Sequence, residues 1–120
     1  MEQIERNQKE MNCMKIGFII NTSDPETVWN AFRLAIAAIS KKHKLKVFLL
    51  GKGVEIDTIN NSKFNISKET AVFKEKGGEI LACGTCLYKR GKSEIGLCPV
   101  SSMDDLVKII EESDKILTFG

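Results

Sequence analysis

Only one histidine, one tryptophan, one tyrosine and two prolines occur among the 120 residues. A single histidine leaves no Ser/His/Asp constellation to argue for nucleophilic catalysis. No Gly-x-Gly-x-x-Gly and no Gly-Lys-Ser/Thr is present, so Gly51-Lys52-Gly53 resembles a phosphate loop only superficially. No apolar run approaches a bilayer span. The amino-terminal MEQIERNQKEMNCM has no apolar stretch of the signal-peptide kind. The cytoplasm is therefore the expected compartment, with no membrane partner. Neither sign of charge dominates: 18 Lys and Arg stand against 16 Asp and Glu. A net charge of +2 is too balanced for nucleic acid to be a direct partner.

What is present is an ordinary globular composition, 42% hydrophobic and 28% charged, with four cysteines. The length suits one domain. Residues 1–12 read as a disordered polar leader without periodicity, and residues 13–120 as a single domain. Cys13 lies apart from the other three, just before the first strand, and reads as incidental. Cys83, Cys86 and Cys98 fall together, and in a reducing compartment such a cluster points to chemistry or metal rather than to disulfide staples.

Strands and helices alternate along the chain. Lys15–Asn21 is a short apolar run of the buried parallel type. Asp24 is placed to cap a helix with Pro25 at its first position. Trp29, Phe32, Leu34, Ile36 and Ile39 form its apolar stripe, and it ends in Lys41-Lys42-His43-Lys44. His43 reads as a solvated helix end, and the Trp29 and Phe32 pair as core. Lys46–Leu50 is a second strand, followed by Gly51-Lys52-Gly53 and a short helix over Val54–Ile59. After a polar loop, Asn60–Asn65, either Asn65 or Ser67 caps a helix that stops at Gly77-Gly78. Glu79–Ala82 is a third strand. Ser101 or Ser102 caps a last helix with Leu106, Val107, Ile109 and Ile110 inward, and Lys115–Phe119 is a final strand. Such alternation implies an α/β fold, a three-layer α/β/α arrangement on a mainly parallel sheet of about five strands. Asn21–Asp24, Gly51–Gly53 and Cys83–Cys86 then meet at the carboxyl edge of the sheet, where such folds bind and react.

The chemistry concentrates in Leu81–Gly91, LACGTCLYKRG. A strand ending at Ala82 and a helix beginning at Gly84 put Cys83 at a helix amino terminus, which favours the thiolate and lowers the expected pKa. Thr85 offers a further hydroxyl, and Lys89 and Arg90 add positive charge. Cys86 completes a C-x-x-C pair, the spacing that brings two thiols within disulfide reach. The tryptophan and proline expected around a thioredoxin-like pair are missing. Cys83, Cys86 and Cys98 could instead bind zinc, with His43 or Cys13 as fourth ligand, although Cys98 lacks the close second ligand usual in structural sites.

Four segments in order resemble the DsrE/DsrF-like family, which includes TusD-type sulfur-relay subunits: KIGFIINTSDPETVWNAFRLA, KVFLLGKGV, ILACGTCLYKRG and SDKILTF. The resemblance spans Lys15–Gly120. It implies a sulfur carrier rather than a self-contained enzyme, with sulfane sulfur held as a persulfide on Cys83, counted back from Arg90-Gly91. Gly84, Thr85, Arg90 and Cys98 would support that site, and Cys86 stands where single-cysteine relay members have another residue. Cys86 could then resolve the persulfide and release sulfide. The implied partners are sulfur donor and acceptor proteins, with no cofactor and no resident metal. A homo-oligomer, trimer or hexamer, is implied as well, and Phe64 and Ile66, read as exposed, would suit its interface.

Overall fold

A computed structural model describes residues 12–120, so the leader expected over residues 1–12 lies almost wholly outside the described residues. Five strands form one all-parallel sheet: β1 (Lys15–Ile20), β2 (Lys44–Leu49), β3 (Glu79–Cys83), β4 (Val100–Ser101) and β5 (Lys115–Phe119). Their spatial order is β4-β3-β2-β1-β5. The helices are α1 (Pro25–Ser40), α2 (Ile66–Glu75), α3 (Gly84–Tyr88) and α4 (Met103–Glu112), with a 3-10 helix over Gly51–Thr58.

Local chemistry sets most boundaries. Asp24 accepts the Thr27 N–H at 3.0 Å and the Thr27 hydroxyl at 2.8 Å, and Pro25 opens α1. Asn65, not Ser67, caps α2, and Ser102, not Ser101, caps α4. Ser101 instead donates its hydroxyl to Asp105 at 2.7 Å. Lys42 takes a left-handed backbone (φ 75°), so the chain turns after Ser40 and β2 begins at Lys44, earlier than expected. His43 is no solvated helix end: its Nδ1 accepts the Met14 N–H at 3.0 Å, tying the entries of β1 and β2 together. The Cys13 thiol donates to Lys42 O at 3.1 Å.

Gly17 shows how one face is closed. An added Cβ there would lie 2.7 Å from Ile116 and 3.0 Å from Ile109, so α4 comes down onto the sheet at that point. The opposite face is covered by α1 and α2, whose buried Phe32 and Phe73 meet edge to face with centroids 5.6 Å apart. Leu34, Val107 and Ile110 were expected inward but are 48%, 52% and 46% exposed, because each apolar stripe is wider than the face its helix buries. Phe64 and Ile66 are the converse. Ile66 is buried as the first residue of α2, and the Phe64 ring packs tilted against Trp29 with centroids 5.3 Å apart.

Hydrogen bonds at the helix caps hold the Asp24 and Asp105 carboxyls below their ordinary value of 3.8: the Thr27 N–H for Asp24 and the Ser101 hydroxyl for Asp105. A folded-state pKa below the unfolded one adds stability that is present above pH 3.8 and is lost as pH falls through the lower folded value. Acid titration of the melting temperature is expected to fall below that pH, and Asp24→Asn, which keeps an acceptor without the charge, to flatten the fall. An unchanged slope would show that the caps carry no such charge effect.

Candidate functional site

Three strand ends converge at the carboxyl edge of the sheet. β1 delivers Asn21, β2 delivers Gly51 and β3 delivers Cys83, as parallel alignment requires. Cys83 is both the last residue of β3 and the N-cap of α3, and its Sγ accepts the Cys86 N–H at 3.4 Å. The Cys86 sulfur in turn accepts the Gly51 N–H at 3.2 Å. Gly51 sits at φ +54°, and an added Cβ would fall 2.2 Å from Asn21 Oδ1. Only glycine can therefore bring that N–H to the sulfur while passing so close to Asn21.

Burial divides the two thiols. Cys83 is 1% exposed, whereas Cys86 is partly exposed. Burial pushes the Cys83 thiol above its ordinary value, reinforced by the neighbouring Cys86 side chain, while N–H groups of Cys86 and Thr85 pull the other way. The lowered value expected at a helix start is thus corrected: desolvation outweighs the few donors of a five-residue helix.

The supporting residues act differently from expectation. Arg90 makes its hydrogen bonds to other groups than the two sulfurs. Its Nε donates to Glu55 Oε2 at 3.0 Å and its Nη1 to Cys86 O at 3.0 Å, fastening α3 to the 3-10 helix. Thr85 contributes its backbone N–H to Cys83, and its side chain is exposed. Gly84 permits close approach of β4, since a Cβ would meet Val100 at 3.0 Å and Ser101 O at 3.2 Å.

Cys98 is not brought to the pair. It lines a cleft of about 450 Å³ with Lys74, Leu97 and Pro99, and burial pushes its thiol up to about 11. Among the described residues no three His, Cys, Asp or Glu side chains are gathered to hold a metal ion. Cys13 and His43 precede β1 and β2, at the opposite edge of the sheet from Cys83, so the four-ligand zinc arrangement is not assembled.

Gly51 and Asn21 are the residues whose role sequence reasoning missed. Their segments were placed at the correct edge, but the hydrogen bond from Gly51 to Cys86 joins residues 35 apart in the chain. The Gly51-Lys52-Gly53 turn directly after an apolar strand was the available signal.

Two relatives resemble this chain in sequence and a solved structure resembles it in fold. The chain is 30% identical over 100 residues to an uncharacterized protein of Methanopyrus kandleri, covering 78% of this chain and 83% of that protein. It is 28% identical over 114 residues to an uncharacterized protein of Methanocaldococcus jannaschii, covering 88% and 100%. A conserved protein of unknown function from Bacteroides thetaiotaomicron has the same fold, with a TM-score of 0.72 at 22% identity over 87% of this chain and 93% of that one. The sequence model of the DsrE/DsrF-like family matches residues 14–119, nearly the whole described chain, and the protein belongs to that family.

Proposed function

We propose that the protein is a sulfur-relay protein that takes sulfane sulfur from a donor protein, holds it as a persulfide on the Cys83–Cys86 pair and passes it on. The observation that carries this reading is the pair itself. Two thiols three residues apart, the Cys83 sulfur accepting the Cys86 backbone N–H, stand where three parallel strands end, in a chain of this family. The described helices include none long and apolar enough to cross a membrane, and the proposed setting is the cytoplasm. A homo-oligomer is part of the proposal. Met103, Val107 and Ile110 on the outer side of α4, each about half exposed, are better suited to such contacts than Phe64 and Ile66.

A second reading, dithiol redox chemistry, is favoured by the same hydrogen bond, which keeps Cys83 Sγ against the first turn that carries Cys86. Intact mass after exposure to polysulfide tests the first. The wild-type chain is expected to gain sulfur mass or to lose the mass of two hydrogens with stoichiometric release of sulfide. The Cys83→Ala/Cys86→Ser double variant is expected to show neither. Sulfur uptake equal in both proteins would move the chemistry away from the pair.

A further inference from the structure

The two sulfurs differ in access and in partners. Cys83, at 1% exposure, offers an incoming donor no approach, while Cys86 is partly exposed. The Cys86 sulfur faces a fixed backbone donor, the Gly51 N–H at 3.2 Å, and donors of this kind strengthen when the acceptor is charged. Arg90 holds the Cys86 carbonyl and Asn21 crowds Gly51, so neither side of that contact is free to drift.

We propose that sulfur enters at Cys86 and that the buried Cys83 is the resolving thiol, which makes this a sulfide-releasing dithiol protein as well as a carrier. This rests on the sulfur-relay reading above and reverses the order of roles expected from the sequence. In the first step the Cys86 thiolate attacks the sulfane sulfur of a persulfide, R–S–SH. A Cys86 S–S bond forms, the donor's S–S bond breaks, and R–S⁻ leaves with the electron pair. In the second step Cys83, its proton given to solvent, attacks Cys86 Sγ. The Cys83–Cys86 disulfide forms, the outer S–S bond breaks, and HS⁻ leaves with that pair. The two thiol sulfurs together give up two electrons and the sulfane sulfur is reduced to sulfide. A dithiol reductant, such as dithiothreitol in the test tube, restores the pair.

Burial suits Cys83 to the second role. A thiol held protonated does not compete for the donor, and it becomes a useful nucleophile once an electrophilic sulfur is fixed beside it. Sulfide release should accordingly speed up as pH rises, because a larger fraction of Cys83 is then ionised.

Single turnover of the full chain with cysteine persulfide, followed by sulfide measurement, intact mass and peptide mapping, tests the order. The wild type is expected to release stoichiometric sulfide and to end as the Cys83–Cys86 disulfide. Cys83→Ala should keep one extra sulfur, mapped to Cys86, and release none until a thiol is added. Cys86→Ser should gain no sulfur. A persulfide mapped to Cys83 in Cys86→Ser would reverse the order, and a stable wild-type persulfide without disulfide would remove the resolving role; either overturns the inference while leaving sulfur relay standing. A wild type that neither releases sulfide nor retains added sulfur would instead bring down the relay reading and the inference with it. Alkylation of the unmodified wild type by iodoacetamide needs no variant to fold: Cys86 should react before Cys83, and the opposite order overturns the proposal.

Discussion

Phe73→Ala is expected to lose about 3–5 kcal/mol of folding stability in denaturant titration. Phe73 is fully buried between α2 and the sheet and meets Phe32 edge to face. Its ring also covers Gly78, where an added Cβ would lie 2.3–2.5 Å from three ring atoms. Truncation therefore empties space bounded by an aromatic ring on one side and a backbone turn on the other, neither of which can collapse far. Against a total of about 5–15 kcal/mol for a domain, the variant would be close to unfolding at room temperature. A loss near 1 kcal/mol would mean that α2 resettles over the gap and that the two rings do not anchor it.

Gly53→Ala carries the second large effect, about 1–3 kcal/mol, by overpacking rather than by a cavity. Gly53 is buried in the first turn of the 3-10 helix, and a Cβ would sit 2.0 Å from Ile20 O. That oxygen accepts the Leu50 N–H at 3.0 Å, so it cannot swing aside without breaking the link between the ends of β1 and β2. Either the 3-10 helix lifts or the strand ends part, and both moves withdraw Gly51 from Cys86. The expected result is lower stability together with faster alkylation of Cys86. Gly96→Ala, where nothing lies within 4 Å of the added carbon, is the matched control and should change neither. Equal stability of the two variants would show that β1 and the 3-10 helix do not abut as described.

Much of the fold is legible because it is written locally. Asp24-Pro25, the Lys15–Ile20 run and the cap before Met103 each declare themselves within a few residues, and their order implies the parallel sheet. The two-residue β4 is not legible, since Val100–Ser101 is too short to show any period. Val107 reads as core because apolar residues at helical spacing look alike whether or not a neighbour covers them. The position of Cys83 at a strand-to-helix junction can be read from Ala82 and Gly84, but the sign of its pKa shift cannot. That sign depends on how much surrounding chain excludes water, a property of the assembled layers. Likewise, the Gly51 donor at Cys86 exists only once β2 and β3 lie side by side, and the isolation of Cys98 only once Pro99 O has accepted the Ala82 N–H.

The strand order has a bearing on how the chain is made. β1 leaves the ribosome before the other four strands, yet one of its two neighbours, β5, follows all of them. Until Lys115–Phe119 emerges, one edge of β1 shows unpaired N–H and C=O groups, and Phe18 lacks the Phe119 ring that later sits 5.0 Å away. β1, β2 and β3 can align during synthesis, bringing Asn21, Gly51 and the two cysteines to one edge while the far side of the sheet is still open. The nascent protein is thus able to bring its paired cysteines to their place before it has closed its own fold.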